Sequence, residues 1–261
     1  QWINIDAIEI KAFIGLLIAA GIMHMKNTST NDMWAEGGPF HVPIFNGTMS
    51  RSRSRFRDIL NYIRFYDTNT REFRSANDKL AAIREINDLM VKNCINNFTP
   101  YEYVTVDEQM FRFKGKCNFK VYMNNKPDKH GLKTWMLCDV KTHYVHNFQV
   151  YLGKQGKTSE KNQGQRVVLD LVKKLPHGRG ITCDNFFTSK SLAEELIARK
   201  FSLVGTVRKS RKEVPPALLP KKRASFESIY AFTRQMTLVS YAPKKNKTVL
   251  LLSTEHFQVQ N

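Results

Sequence analysis

Residues 103–153 begin with an alternation of apolar and polar side chains that is typical of a β-strand. Val104 and Val106 share one face of the predicted strand, and Asp107 lies on the other, which is the pattern of a strand with one buried face. Two further strand-like runs and a polar turn follow, at residues 131–139, 144–152 and 141–143. The segment therefore predicts a strand that carries Asp107, followed by an antiparallel hairpin.

Beyond the hairpin, helical and strand-like periodicity alternate. Residues 165–175 have the apolar spacing of an amphipathic helix, and residues 180–183 form a short strand pattern that ends at Asp184. Thr188 or Ser189 can cap a second helix, and a last strand is expected at residues 201–207. Three strands, a helix, a strand, a helix and a strand in this order predict a mixed α/β sheet covered by helices.

Residues 1 to about 100 have helical periodicity instead. Asp6 and Glu9 have capping-box spacing before an apolar face that is expected in a core. A second, arginine-rich helix is expected from Ser50 or Ser52 onward, where its basic face would either meet a phosphate backbone or remain solvated. A third helix, at about residues 77–96, has an apolar stripe that predicts core packing.

The charge balance limits the classes of partner. The 41 Lys and Arg against 23 Asp and Glu give a formal net charge of +18, which favours a polyanion such as nucleic acid, with an anionic membrane surface as the alternative. The longest apolar run is too short to span a bilayer, and no secretory signal is visible. The four cysteines lack Cys-x-x-Cys spacing, so we expect buried, reduced thiols in an intracellular compartment.

Asp107 and Asp184 are the candidate metal ligands. If their strands are neighbours in a ribonuclease H-like sheet, the strands are about 4.8 Å apart. Two carboxylates at that spacing repel each other unless a cation binds between them. Two Mg²⁺ ions held this way can activate water and stabilise a leaving 3′ oxygen. The alternatives are an exposed strand residue for Asp107 and a helix or turn cap for Asp184.

Several segments of the chain resemble the piggyBac family of DNA transposases. They include EIKAFIGLLIAAGI, SRFRDILNYIRFYD, VDEQMFRFKGKCNFKVYMNNKPDKHGLKTWMLCD, YVHNFQVYLGK, ITCDNFFTSKSLAEEL and LVGTVRKSRKEVPPAL, which together cover nearly the whole sequence. The resemblance implies a ribonuclease H-like catalytic core, preceded by a helical domain and interrupted by a small β-rich insertion domain. It also matches Asp107 and Asp184 to the first two acidic residues of the family's DDD triad, which would bind two Mg²⁺ or Mn²⁺ ions.

The resemblance also implies a domain division. Residues 1–100 would be the first part of a dimerisation and DNA-binding domain, residues 101–209 an incomplete catalytic core, and residues 210–261 an incomplete insertion domain with a hairpin. No Gly-Gly-Val-Asp-like segment with the third aspartate occurs before Asn261. Glu213, Glu227 and Glu255 are not expected to replace it, so this polypeptide alone is expected to lack a complete active site.

By the same resemblance, the intact protein would be a nuclear, homodimeric cut-and-paste transposase. It would hydrolyse and transfer strands at the terminal inverted repeats of double-stranded transposon DNA, pass through a hairpin, and join the ends at TTAA targets. The cations expected nearest the phosphates, each of which could instead be solvated, are Lys114, Lys116, Lys126, Lys129, Lys133 and Arg208.

Two other functions remain open from the sequence. A domesticated descendant could keep the fold and bind DNA or chromatin without catalysis. The two retained aspartates argue against that alternative, whereas loss of the third carboxylate would favour it. A ribonuclease H-type nuclease acting on RNA–DNA hybrids is the weaker alternative, because the helical amino-terminal region and the insertion match the transposase pattern.

Overall fold

A computed structural model describes residues 4–37, 42–49, 55–124, 129–154, 160–220 and 222–256. The chain divides into two compact units, Gln1–Arg71 and Glu72–Asn261. The helices are α1 (Ala7–Ile22), α2 (Thr30–Met33), α3 (Pro43–Thr48), α4 (Arg55–Tyr62), α5 (Arg71–Asn77), α6 (Arg84–Asn97), α7 (Gln163–Leu171) and α8 (Lys190–Ala198).

Helix α1 begins with the predicted capping box. The Asp6 carboxylate accepts a hydrogen bond from the Glu9 amide at 2.8 Å, and the Glu9 side chain accepts one from the Asp6 amide at 3.3 Å. Arg55 of α4 donates from Nε to the same Glu9 carboxylate at 2.8 Å. Arg55 is therefore part of the fold of the first unit, whereas the predicted start of its helix at Ser50 or Ser52 lies outside the described residues.

The first unit has a small aromatic core. Phe13 of α1 and Phe56 of α4 lie with ring centroids 5.0 Å apart, and Trp34 packs against Phe45 and Phe56. The expected burial of the apolar face of α1 is only partly correct. Phe13 is 2% exposed, but four other apolar residues of that predicted face are exposed: Ile8, Ile14, Leu17 and Ile18.

The second unit contains a mixed sheet. Its described strands are β1 (Tyr103–Arg112), β2 (Val121–Tyr122), β3 (His130–Asp139), β4 (Val145–Val150), β5 (Gly180–Cys183), β6 (Ser202–Val207), β7 (Ser228–Phe232), β8 (Thr237–Lys244) and β9 (Lys247–Ser253). The order is β2-β3-β1-β5-β6-β9-β8-β7, and β4 pairs with β3. The predicted mixed α/β fold class is confirmed.

The central strands have the arrangement expected of a ribonuclease H-like core. β1 is antiparallel to β3, β3 is antiparallel to β4, and β5 and β6 run parallel to β1. Helices α7 and α8 cover the sheet face that carries Val104 and Val106, both fully buried. Ser189 caps α8 by accepting a hydrogen bond from the Leu192 amide at 3.1 Å, which is one of the two predicted caps.

The third helix predicted from the sequence is α6, which begins at Arg84 and not near Asn77, and the short helix α5 before it was not predicted. Asp78 accepts a hydrogen bond from the Leu80 amide at 2.9 Å and binds Arg84 at 2.7 Å, so the chain turns between α5 and α6. The expected core packing of the apolar stripe is wrong for most of its residues. Leu80 is 2% exposed, whereas Ile86, Leu89 and Met90 of α6 are 40%, 51% and 56% exposed.

The carboxyl-terminal strands extend the central sheet. The predicted hairpin is present as β8 and β9, which pair antiparallel, and β9 also pairs antiparallel with β6. The edge strand β7 was not predicted. No helix in the described part of the chain is long and apolar enough to cross a membrane. The domain limits at residues 100 and 209 stay predictions.

Candidate metal and nucleic-acid site

Asp107 and Asp184 lie side by side on neighbouring parallel strands. Val106 of β1 is in register with Cys183 of β5, so the two aspartates are the next residues along both strands. Neighbouring strands are separated by about 4.8 Å. Both aspartates are exposed, and they lie where β5 ends.

The residues after Asp184 form a tight turn. The Phe186 amide donates to the Asp184 carboxylate at 2.9 Å, and the Asp184 carbonyl accepts from the amide and the hydroxyl of Thr188 at 3.1 and 2.8 Å. Asp184 therefore closes a turn, which is one of the alternative roles expected for it from the sequence. The cap of helix α8 is a different residue, Ser189, so this turn leaves part of the Asp184 carboxylate open to other ligands.

Negative charge is concentrated around this pair. Although Asp184 is exposed as a residue, its carboxyl group is partly surrounded by protein, and this partial burial raises its pKa. The hydrogen bond from the Phe186 amide lowers the pKa, and the negative charges of Asp107 and Glu108 raise it. Burial also raises the pKa of Cys138, with Asp107 contributing. Like charges raise a pKa because the ionised form is disfavoured beside another anion. A bound cation would relieve this repulsion.

The donor set fits a hard divalent cation, but only in part. Carboxylate oxygens are the ligands that Mg²⁺ and Mn²⁺ accept, and Asp107 and Asp184 supply them from two adjacent strands. Within the described ranges, no cluster of three or more His, Cys, Asp or Glu could hold a metal ion. These two residues would thus supply two of the protein ligands of a metal site.

Asp139 is a further acidic residue of the central sheet, but it lies at the other end. It pairs with Val104 at the start of β1 and is fully buried. Its carboxylate accepts hydrogen bonds from the Tyr101 amide at 2.8 Å and from the amide and hydroxyl of Thr142 at 2.7 Å each. Asp139 therefore anchors the β3–β4 turn. Glu255, bonded to the Tyr103 hydroxyl at 2.8 Å, also lies at that end.

The predicted phosphate-binding cations have different surroundings. Lys114 and Lys116 lie exposed in the loop between β1 and β2, Lys129 is exposed directly before β3, and Lys126 lies outside the described residues. Arg208 donates from Nε to the Asn185 side chain at 3.0 Å, so it is held beside the turn that follows Asp184.

Lys133 is enclosed, unlike the other predicted cations. Its ammonium group lies 2.9 Å from the Glu108 carboxylate, and the two side chains are only 13% and 17% exposed. Three aromatic rings surround the ammonium, those of Trp135, Tyr151 and Phe186. Glu108 and Tyr151 could not be predicted as neighbours of Lys133 from local patterns, because only the strand register brings them to it.

The chain is similar to known proteins over nearly its whole length. The family described as Transposase IS4 matches residues 1–260. Two human proteins, PiggyBac transposable element-derived protein 3 and the chimeric ERCC6-PGBD3 protein, are each 27% identical over 242 residues. That match covers 86% of this chain but only 38% and 22% of theirs.

A solved structure of the same type is more similar still. In the cryo-EM structure of a piggyBac transposase synaptic complex with hairpin DNA, the matched chain is 36% identical, with a TM-score of 0.89. The match covers 99% of this chain and 54% of that one. The chain thus spans about half the length of that structure and less of its curated relatives. On the family match over residues 1–260, the chain belongs to the Transposase IS4 family and is a piggyBac-type member of it.

Proposed function

We propose that this chain is part of a cut-and-paste transposase that hydrolyses and transfers DNA strands at the ends of its transposon, with joining at TTAA targets. The observation that carries the proposal is the juxtaposition of Asp107 and Asp184 on adjacent parallel strands of a piggyBac-type fold. The piggyBac complex that resembles this chain contains hairpin DNA, which supports a hairpin product here.

In the proposed mechanism, Asp107 and Asp184 would hold two Mg²⁺ or Mn²⁺ ions. When bound, such a pair of ions supplies Lewis acidity for attack on a phosphodiester and for departure of the 3′ oxygen. The sheet would fix the positions of the two carboxylates, because Asp107 lies on β1 and Asp184 directly follows β5. Lys114, Lys116, Lys129 and Arg208 would contact phosphates around it, and Lys126 is proposed for the same role from sequence alone.

The organisation of the intact protein is proposed from the family. The helical amino-terminal region would bind the terminal inverted repeats and form a homodimer, residues 101–209 would carry the nuclease chemistry, and residues 210–261 would belong to the insertion. Since its substrate is chromosomal DNA, the protein would work in the nucleus. The high net charge of +18 supports a DNA partner.

The test is cleavage by the full-length protein of duplex DNA that carries its transposon ends, with Mg²⁺ or Mn²⁺. We expect Asp107→Asn and Asp184→Asn each to reduce cleavage by at least about a thousandfold, because the metal-bound groups act as one unit. DNA affinity should change little. Asp88→Asn, at an exposed carboxylate of α6, is the matched control. Undiminished cleavage by Asp107→Asn would refute the metal role.

A non-enzymatic DNA-binding or chromatin-binding protein is the second candidate. It is supported by the similarity to human PiggyBac transposable element-derived protein 3, whose name describes a protein derived from a transposable element. Under this candidate, the wild-type full-length protein would bind duplex DNA in a salt-dependent way but would leave it uncut at every Mg²⁺ and Mn²⁺ concentration tested.

A further inference from the structure

Lys133 and Glu108 form an ion pair on the covered face of the sheet. Lys133 of β3 is in register with Met110, and Trp135 of β3 is in register with Glu108. Lys133 and Glu108 are therefore diagonal neighbours on the same face, since side chains alternate along each strand. Their 2.9 Å contact and low exposure show that the Lys133 ammonium is directed into the protein.

The aromatic rings around Lys133 connect it to the Asp184 turn. Its Nζ lies 5.5 Å from the Trp135 ring centroid, 5.8 Å from that of Tyr151 and 5.1 Å from that of Phe186. These distances are within the range of cation–π attraction. Because the Phe186 amide donates to the Asp184 carboxylate, a cation that holds the Phe186 ring also restricts the backbone that orients Asp184.

A phosphate contact would require a different arrangement. A lysine that binds a DNA phosphate needs free N–H groups directed to the surface, as those of the exposed Lys114 can be. The Lys133 ammonium instead faces a carboxylate and three rings.

From this geometry we infer that Lys133 is a positioning residue for the metal site. Paired with Glu108, it holds the Phe186 ring and so fixes the turn that presents the Asp184 carboxylate. The inference rests on the proposed metal role of Asp184. It gives Lys133 a function other than the phosphate contact expected from the sequence, and it gives Glu108 the role of its counter-ion instead of a third metal ligand.

The test uses the full-length protein and measures two quantities that the two roles affect differently. Mn²⁺ binding is followed by electron paramagnetic resonance, and the salt dependence of DNA affinity is measured without divalent ions. We expect Lys133→Met to raise the dissociation constant for Mn²⁺ about tenfold or more, as changes to groups behind metal ligands do. The slope of log affinity against log salt should stay at the wild-type value.

Two further variants sharpen the test. Lys133→Met with Glu108→Gln replaces the buried pair by neutral groups of similar size, so it should regain the folding stability lost in Lys133→Met. Its Mn²⁺ affinity should stay as low as that of Lys133→Met, because no cation then lies over the Phe186 ring. Lys114→Met is the contrasting control, because loss of a phosphate contact should lower the salt slope by about one and leave Mn²⁺ affinity intact. If Lys133→Met alone does not fold, the salt slope of the double variant still distinguishes the two roles.

Three results would overturn the inference. The first is a Lys133→Met variant, or a double variant, that loses salt slope as Lys114→Met does. The second is unchanged or tighter Mn²⁺ binding by Lys133→Met while Asp184→Asn abolishes binding, which would leave the proposed function standing. The third is unchanged Mn²⁺ binding by Asp184→Asn, which would also remove the proposed metal role.

Discussion

His146 is a histidine enclosed within the second unit. It lies on β4, it is 2% exposed, and neither ring nitrogen has a hydrogen-bond partner of ordinary geometry in the described part of the chain. Burial lowers the pKa of His146 below its ordinary value. The folded protein therefore favours the neutral ring, whereas the unfolded chain takes up a proton near pH 6.5.

This difference predicts a loss of stability in acid. The stabilising contribution is complete above pH 6.5 and declines as the pH falls, because the unfolded state then binds a proton that the folded state resists. His146→Leu should reduce the pH dependence of the unfolding free energy below pH 6.5 by up to about 1.4 kcal/mol per pH unit. Urea denaturation between pH 5 and 7.5 measures it.

The matched control for this prediction is His143→Asn. His143 is exposed and has a φ of 60°, a left-handed conformation that asparagine tolerates. That variant should keep the wild-type pH dependence. If His146→Leu kept it as well, acid sensitivity would arise elsewhere in the molecule.

At the scale of elements, α7 touches the backbone of the Asp184 turn. A Cβ added at Gly164 would lie 2.6 Å from the Phe186 carbonyl oxygen and 3.0 Å from the Phe187 Cα. Both are backbone atoms, which cannot move aside as a flexible side chain can. The absence of a side chain at Gly164 therefore allows the helix to support the turn from one side, while the Lys133 cluster contacts its Phe186 ring.

Gly164→Ala should displace this turn. We expect a loss of about 1–3 kcal/mol in unfolding free energy, as for other overpacked sites, together with weaker Mn²⁺ binding. Gly15→Ala in α1 is the control, because nothing lies within 4 Å of its added Cβ. There alanine should be neutral or stabilise the helix by up to about 1 kcal/mol. If Gly164→Ala kept wild-type stability and Mn²⁺ binding, the close approach of α7 to the Phe186 backbone would not limit the side chain at position 164.

At the scale of the whole molecule, the net charge of +18 favours a DNA partner, but the lysines that contact phosphates are expected to set the salt dependence of binding. Neutralising both Lys114 and Lys116 to glutamine should lower the salt slope of DNA binding by about two, one for each lost phosphate contact. Filter binding or fluorescence anisotropy over a salt series on the full-length protein measures this slope.

The control removes the same amount of positive charge from a different part of the molecule. Lys173 and Lys190 lie on the helical side and contact acidic neighbours, Asp170 at 2.6 Å and Glu194 at 3.7 Å. Changing both of these lysines to glutamine should leave the slope unchanged. Equal slopes for the two double variants would mean that net charge, and not the loop between β1 and β2, governs binding.

The sequence alone determined the elements whose periodicity is local and strong. Alternation placed Val104 and Val106 in the core and Asp107 on the opposite face, and the Asp6 and Glu9 spacing gave the cap of α1. These predictions succeeded because they depend on neighbours in the chain. The prediction that the apolar stripe of α6 packs in a core was wrong for most of its residues, because periodicity defines a face but does not say what covers it.

The contacts between residues far apart in the chain depend on the folded sheet. The parallel register of β1 and β5 places Asp107 beside Asp184, and the register of β1 and β3 places Glu108 beside Lys133. Strand pairing is set by packing over the whole sheet, so a one-residue slip would move every such contact to the other face. The residue types of the site can therefore be read from the sequence, but the enclosed ion pair behind it depends on the folded sheet.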